Sequence, residues 1–251
     1  MTDDRADPAA PAPLVLTVLG CDGSWTGPGG AGSGYLVESA RTRLVIDTGP
    51  GTFAVLQQHM DPAAIDAVII SHHHPDHWSD LYMMGSHARF ALQRTGLPVY
   101  APAGLARRAH LEDSRTFEWH RVTHGDSIGI GDLGITFRRT EHSFETLAVR
   151  IDGSVCALGY SADTGPGWRL VDLGSGLDLV LCEATYTIEH EGTADHMSGR
   201  QAGEQAREAQ ARRLVITHRW PSIEASDVAT EARGAFGGPV EQAEPGKGFV
   251  L

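Results

Sequence analysis

The chain has 251 residues, 41% of them hydrophobic, which is enough for one large domain or two small ones with a sizeable core. Its 20 basic and 32 acidic side chains give a net charge of −12, and no basic cluster fits a phosphate backbone, so extended binding to DNA or long RNA is disfavoured. A small anionic substrate stays open, because bound divalent cations would make a pocket locally positive.

The N-terminus and the cysteines indicate the domain boundary and the redox setting. Residues 1–13 are rich in Asp, Ala and Pro and lack the regions of a signal peptide, so we expect a disordered arm followed by one domain over 14–251. The three cysteines are odd in number and far apart, which predicts no disulfide framework and favours a reducing, cytoplasmic setting. No apolar stretch approaches the roughly 20 residues that cross a bilayer.

The first predicted elements are short strands around a glycine-rich loop. Residues 14–19 form an apolar, β-branched run typical of a strand, and residues 35–38 and 43–47 predict two more. The loop Gly20–Gly34 lacks the Gly-Lys-Ser/Thr ending of a Walker loop, so it is either a flexible connection or the lining of a pocket. Residues 47–51 predict a turn that starts a helix through His59.

The most informative stretch is the run 71–77, Ser-His-His-His-Pro-Asp-His, which directly follows a buried-type strand. Neutral imidazole and carboxylate suit zinc and related divalent metals. His72 and His74 form one pair of candidate ligands, and Asp76 and His77 form another. This is enough to begin two adjacent metal sites, so the chain is first of all a hydrolase candidate.

The second half of the chain contains predicted hairpins, two helices and isolated strands. Residues 128–139 alternate with glycine turns as hairpins do, and residues 147–160 predict a strand pair around Asp152-Gly153. Residues 177–182 and 214–217 are apolar and strand-like. Helices are expected over 198–213, with Ser198 as N-cap, and over 227–236.

Three further ligand-type residues recur at the ends of separate predicted strands: His142, Asp163 and His218. Each alone would be ordinary, but the repeated placement favours a shared site. His196 precedes a predicted helix and either shapes the entry of that helix or faces the site. His73 lies between two ligands and is expected to point away. Asp80 either supports a ligand from behind or is a solvated helix carboxylate, and the second interpretation is adopted.

The whole pattern resembles the metallo-β-lactamase fold superfamily, from about Leu14 to the C-terminus. The resemblance implies an α/β (α+β) fold, an αββα sandwich of two mixed β-sheets flanked by helices, with the site at one edge. It further implies that one metal takes His72, His74 and His142, that the other takes Asp76, His77 and His218, and that Asp163 bridges both.

The segment from Asp195 to Gly203 resembles the ribonuclease Z and cyclic-nucleotide phosphodiesterase branch of this superfamily. In that branch a histidine at the position of His196 assists the chemistry, and a glutamate at the position of Glu183 can support this histidine. Ribonuclease Z carries a long tRNA-gripping arm where His142 and Asp163 are here separated by two short strands. The likeness is therefore to small, arm-less bacterial members.

These resemblances predict a dinuclear metal-dependent hydrolase, most simply a phosphodiesterase that acts on a small phosphodiester such as a cyclic nucleotide through a metal-bridging hydroxide. Asp76 would orient the hydroxide, and His196, supported by Glu183, would stabilise developing charge or protonate the leaving oxygen. A thioesterase or lactonase that uses the same metals is the first alternative. A non-catalytic, metal-bound sensor domain is the second.

The implied cofactors are two divalent ions, with Zn²⁺ as the default and Mn²⁺, Fe²⁺ or Ni²⁺ compatible with the same ligands. The expected partner is a small, anionic substrate, with neither an extended nucleic acid nor a membrane. A homodimer is a candidate assembly, since dimers are common in similar families. Residues 81–90 are apolar enough for either a core helix or an interface.

Overall fold

The computed structural model describes residues 12–251 and contains two seven-stranded β-sheets that face each other, with helices on both outer faces. The predicted αββα sandwich is confirmed. The expected disordered arm over 1–13 lies outside the described residues except for its last two positions.

Both sheets are mixed, and each combines hairpins with parallel strands. The first sheet has the spatial order β14 (Gly248–Val250), β1 (Val15–Gly20), β2 (Gly34–Glu38), β3 (Arg43–Thr48), β4 (Ala67–Ile69), β5 (Leu97–Ala101), β6 (Phe117–Arg121). The second sheet has the order β13 (Val240–Gln242), β12 (Leu214–Thr217), β11 (Leu179–Glu183), β10 (Ala157–Tyr160), β9 (Leu147–Asp152), β8 (Leu133–Arg139), β7 (Ser127–Ile130). The helices are α1 (Thr52–His59), α2 (Leu81–His87), α3 (Leu105–Arg108), α4 (Gly199–Glu208) and α5 (Ala225–Phe236).

Three apolar layers hold the sandwich together, because the central strands are covered on both faces. In β11, Leu179 and Leu181 point into the layer between the sheets, whereas Val180 and Cys182 point into the layer beneath α4 and α5. A third layer packs the outer face of the first sheet against α1, α2 and α3. Alternation of side chains between two buried faces explains why these strands are continuous apolar runs in the sequence.

The helix predicted over 198–213 is shorter than expected. Ser198 is its N-cap, as the sequence predicts, and the structure adds a capping box between Ser198 and Gln201. The helix nevertheless ends at Glu208, and Gln210 then adopts a left-handed conformation with φ 52°. Glutamine has no special preference for this region, so the helix-favouring composition of 209–213 hides the end of the helix.

The cysteines and the helices bear on two further sequence predictions. All three cysteines are free, in agreement with the absence of a predicted disulfide framework. Within residues 12–251, none of the helices combines the length and the apolar character that crossing a bilayer requires.

Candidate metal centre

The predicted metal ligands all follow the carboxyl ends of strands. In chain order they are His72, His74, Asp76 and His77 after β4, His142 after β8, Asp163 after β10 and His218 after β12. Strands β8, β10 and β12 run in the same direction, so their carboxyl ends meet at one edge of the second sheet. The structure brings all seven side chains together there, opposite the end of β4 in the first sheet.

The first group of candidate ligands consists of His72, His74, His142 and Asp163. His74 Nδ1 lies 3.0 Å from His72 Nε2 and 3.1 Å from His142 Nε2. Asp163 Oδ2 lies 3.5 Å from His72 Nε2 and 3.8 Å from His142 Nε2. Three imidazoles and one carboxylate that converge in this way form a donor set suited to a tetrahedral zinc ion.

The second group consists of Asp76, His77 and His218, and Asp163 reaches it as well. Asp76 Oδ2 is 3.3 Å from His218 Nε2 and 3.5 Å from His77 Nε2. Asp163 Oδ1 is 3.2 Å from His77 Nε2, and its Oδ2 is 3.3 Å from His218 Nε2. Asp163 therefore lies between the two groups, at the position that a bridging ligand would take.

Two buried atoms at the centre have no hydrogen-bond partner, namely His77 Nε2 and Asp163 Oδ1. His77 Nδ1 lies 2.7 Å from Asp47 Oδ2, so Nδ1 carries a proton and Nε2 faces Asp163. Burial alone would lower the pKa of His77, but Asp163, Asp76 and Asp47 raise it well above its usual range. The buried carboxylates thus favour a positive charge at His77, and a metal cation at Nε2 would take the place of that proton. The residues present therefore fit divalent metal ions.

The pKa values at the centre favour negative charge on its carboxylates. Burial alone would raise the pKa of Asp163, but the neighbouring histidines, His218 first, lower it well below its usual range. The same balance between burial and the neighbouring His77 and His218 lowers the pKa of Asp76. Burial lowers the pKa of His72, so this imidazole is a neutral ligand at pH 7. Neutral imidazoles and ionised carboxylates are the forms that bind metals.

Asp47, the penultimate residue of β3, is a candidate functional residue that the sequence placed only at the end of a predicted strand, where the next turn begins. Its fully buried carboxylate accepts hydrogen bonds from Ser71 N (2.7 Å), Ser71 Oγ (2.8 Å) and Tyr160 Oη (2.8 Å), in addition to His77 Nδ1. A carboxylate that fixes the tautomer and orientation of a ligand histidine typically supports metal affinity. The signal that was available is its position at a strand end, like the ligands themselves.

His218 has an equivalent support in Thr185. The Thr185 hydroxyl lies 2.8 Å from Glu183 Oε2 and 3.1 Å from His218 Nδ1. Since the hydroxyl donates its one proton to the carboxylate, it accepts a hydrogen bond from His218 Nδ1–H. His218 Nε2 is then the unprotonated nitrogen, turned toward Asp76 and Asp163.

His196 lies beside both groups of candidate ligands. Its ring centroid is 5.3 Å from that of His142 and 5.1 Å from that of His218, and it forms a third potential donor group with Asp163 and His218. Its Nδ1 is 3.0 Å from Glu183 Oε1. Burial alone would lower the pKa of His196, but Glu183 raises it to about 9, so the imidazole is protonated at neutral pH.

Glu183, at the end of β11, is fully buried and saturated with hydrogen bonds. Besides His196 and Thr185, it accepts from Thr164 N (2.6 Å) and Met197 N (3.0 Å). The segments after β10 and before α4 are thereby joined through one carboxylate. The contact with His196 is therefore observed, and the role of Glu183 as a support for the chemistry of His196 stays a prediction.

Three residues at the ends of β3, β10 and β12 have positive φ angles although they are not glycine: Asp47 (55°), Ala162 (51°) and His218 (54°). Each left-handed residue of this kind costs about 1–3 kcal/mol, and such strain concentrates at functional sites. Here it accompanies the sharp turns by which the chain presents side chains at the sheet edge.

The glycine-rich loop Gly20–Gly34 lines the centre, one of the two roles left open by its sequence. Ser24 N donates to Asp76 Oδ2 over 2.8 Å, and Ser33 N donates to Asp76 O over 3.1 Å. Glycine is required for this approach at Gly32, where a Cβ would lie 2.7 Å from Asp76 O. The loop therefore positions the carboxylate of Asp76.

His73, within the run 71–77, and Asp80, just after it, lie outside the groups of candidate ligands. His73 belongs to none of the three groups of potential metal ligands, and its ring lies instead beside Gly104 and Arg108 at α3, so it points away from the ligands as expected. The interpretation of Asp80 as a solvated carboxylate is wrong. Asp80 is only 9% exposed and accepts a hydrogen bond from Phe53 N at the start of α1 (2.8 Å), because the backbone before α2 turns its side chain inward.

The model of the beta-lactamase superfamily domain matches residues 42–219, a range that includes all seven candidate ligands. The chain belongs to the beta-lactamase superfamily. Together with its histidine and aspartate clusters, which are able to bind metal, this membership makes the chain a metallo-hydrolase of that superfamily.

Relatives within the superfamily match nearly the whole chain. An uncharacterized protein of Mycobacterium tuberculosis is 38% identical over 90% of this chain and 88% of its own length. The probable metallo-hydrolase YhfI of Bacillus subtilis is 29% identical over 93% of this chain and 98% of its own. The crystal structure of YhfI superimposes with a TM-score of 0.90 over 95% of this chain and 100% of that one, at 27% identity.

The predicted likeness to ribonuclease Z is also confirmed. Ribonuclease Z of Methanopyrus kandleri is 28% identical over 89% of this chain and 93% of its own length. In the present chain, the segment between His142 and Asp163 is occupied by the hairpin of β9 and β10. Two strands of the second sheet therefore fill the segment between these two candidate ligands, as the sequence predicts.

Proposed function

We propose that the protein is a dinuclear metal-dependent phosphodiesterase that acts on a small phosphodiester such as a cyclic nucleotide. One metal would be held by His72, His74 and His142, and the other by Asp76, His77 and His218, with Asp163 shared by both. When bound, such ions, most simply zinc, polarise a phosphoryl oxygen and lower the pKa of water toward about 7.

The observation that carries this proposal is the contact of His196 with both groups of ligands. Its Nδ1 donates to Glu183, so the Nε2–H of the protonated ring remains to donate to a substrate oxygen. Departure of an alkoxide from phosphorus requires such a proton donor, and general acid–base assistance is typically worth about 10²–10⁴-fold in rate. Asp76, held by the amide of Ser24, is suited to orient the attacking water.

A small substrate is favoured over a long RNA for two reasons. The hairpin of β9 and β10 leaves no additional segment between His142 and Asp163 for gripping a folded RNA. The net charge of −12 also repels a polyanion, whereas a compact anion would meet mainly the metals.

A substrate panel combined with elemental analysis tests the proposal. We expect purified protein to contain two zinc equivalents per chain and to hydrolyse bis(p-nitrophenyl) phosphate and cyclic AMP. Turnover of a thioester or a lactone without turnover of either phosphodiester would replace the proposal by hydrolysis at a carbonyl centre. Full metal content without turnover of any panel member would instead favour a metal-bound sensor.

A further inference from the structure

An exposed tryptophan stands next to the candidate centre, on the glycine-rich loop. Trp25 follows Ser24, whose amide donates to Asp76 Oδ2. Because consecutive Cα atoms are about 3.8 Å apart, the Cα of Trp25 lies within about 8 Å of that ligand oxygen. The ribose of a nucleotide spans a comparable gap between the phosphate and the base.

A second tryptophan supports the first. The ring centroids of Trp25 and Trp220 are 5.7 Å apart with an interplanar angle of 36°, and Trp220 Nε1 donates to Ser24 Oγ over 3.0 Å. Trp220 packs in turn against Tyr186 at 5.5 Å, and the Tyr186 hydroxyl donates to His196 O over 2.8 Å. The two indoles are therefore connected to both sides of the centre, through Asp76 and through His196.

The exposure of Trp25 distinguishes it from tryptophans that serve the core. Trp78 and Trp168 are 7% and 6% exposed, whereas Trp25 is 46% exposed. Its position is not a loose one, since Ser24 is held with a positive φ of 62° and Trp25 N donates to Gly23 O over 2.7 Å. The strained backbone conformation of Ser24 thus presents the Trp25 indole to solvent beside the ligands.

We propose that Trp25 and Trp220 form a stacking platform for the base of a nucleotide substrate, which rests on the proposed phosphodiesterase function. Stacking on an indole accepts any purine or pyrimidine, because every base has a π face. The platform would fix which small phosphodiesters are used: those that carry an aromatic base rather than aliphatic esters of the same charge.

The test compares cyclic AMP with the base-less ribose 3′,5′-cyclic phosphate on the metal-loaded protein. In Trp25→Ala, kcat/KM for cyclic AMP is expected to fall about 5- to 150-fold, the equivalent of about 1–3 kcal/mol of stacking, mainly through KM. The value for the base-less substrate should not change, and Trp25→Phe should restore most of the loss. Phe90→Ala, which removes a 76% exposed aromatic ring from the turn after α2, is the matched control.

Equal losses on both substrates, or no loss on cyclic AMP, would overturn the platform while leaving the phosphodiesterase proposal intact. Titration with AMP, followed by tryptophan fluorescence, tests the platform independently of phosphodiester turnover. Quenching that disappears in Trp25→Phe, in a protein without phosphodiester turnover, would support the platform and reject the phosphodiesterase. Neither turnover nor quenching would reject both.

Discussion

At the scale of single residues, the centre consists of ligands and of side chains that hold the ligands in place. Asp47 and Thr185 fix the protonated nitrogens of His77 and His218, so that both Nε2 atoms face Asp163. Glu183 does the same for His196. Variants at these residues should therefore divide into those that lose metal and those that keep metal but lose catalytic activity.

Replacement of His196 should affect turnover without affecting metal content. His196→Ala is expected to retain its metal and to lose about 10²–10⁴-fold in kcat, since the proton donor is removed and the ligands remain. Metal analysis and kcat on cyclic AMP check this, with His59→Ala, an exposed histidine at the end of α1, as control. A drop in metal content with normal activity per bound metal would contradict a catalytic role.

Removal of Asp163 should release both metals together. Asp163 Oδ1 faces His77 of the second group, and Oδ2 lies 3.5 Å from His72 Nε2 in the first group and 3.3 Å from His218 Nε2 in the second, so Asp163→Ala removes a ligand that both metals would share. Elemental analysis after dialysis measures the effect, and the exposed Asp113→Ala is the control. Retention of the full metal content would show that Asp163 does not bridge.

Asp47 is expected to act on metal affinity although it lies behind the ligands. Asp47→Asn should weaken metal binding by about 10- to 100-fold, because a neutral amide holds the Nδ1–H of His77 less firmly. Competition with a chromogenic chelator gives the affinity. Asp66→Asn, which alters a carboxylate bound to Arg43 N at the other end of β3, is the control, and equal affinities in the two variants would refute the assignment.

At the scale of elements, the close approach of α4 and α5 holds the outer helical layer over the second sheet. Their contact depends on glycine, since a Cβ on Gly203 would lie 2.5 Å from Ala232 O and 2.9 Å from the Ala235 Cβ. Ala202 and Ala206 of α4 are fully buried in the same layer. Small residues, rather than large apolar ones, therefore define this helix pair.

Alanine substitutions at two helix glycines should have opposite effects. Gly203→Ala is expected to lower the free energy of unfolding by about 1–3 kcal/mol through overpacking, despite the better helix propensity of alanine. Gly234→Ala in α5 meets no atom within 4 Å and should gain up to about 1 kcal/mol. Urea unfolding measures both, and a gain in stability at Gly203 would contradict the close approach.

Prediction of elements from sequence succeeds where a local pattern is sufficient. The apolar run 177–182 and the N-cap residue Ser198 identify β11 and the start of α4 correctly. The end of α4 is missed, because Gln210 adopts a left-handed conformation that glutamine does not favour and that the sequence therefore does not predict. The inward turn of Asp80 is missed for a similar reason, since its partner, Phe53 N, lies in another helix.

At the scale of the whole molecule, the candidate centre joins the two sheets. The run 71–77 follows the first sheet, and His142, Asp163 and His218 follow the second. Metal ions held by both sets would bind the folded sandwich and not the unfolded chain, so metal binding and folding should be coupled.

Chelation should therefore lower the melting temperature. A thousandfold excess of free metal over Kd contributes about 4 kcal/mol, and for a chain of this size each kcal/mol corresponds to about 2–4 °C. Calorimetry with EDTA measures the loss, EDTA already saturated with zinc is the control, and added zinc should restore the original value. An unchanged melting temperature in a protein shown to be metal-free would contradict the coupling.

The sequence by itself determined the kind of chemistry and the fold family. The run 71–77 concentrates imidazole and carboxylate in one strand–turn segment, and ligand types recur at three later strand ends. These patterns are visible in the sequence because each is formed by residues that are neighbours in the chain. Only the tertiary structure decided which side chains support them. Asp47 and Thr185 are ordinary turn and strand-end residues until folding places them 2.7 Å and 3.1 Å from ligand nitrogens, and Trp25 is one exposed indole until its loop meets Asp76 and Trp220. Such contacts join residues distant in the sequence, and no local pattern records them.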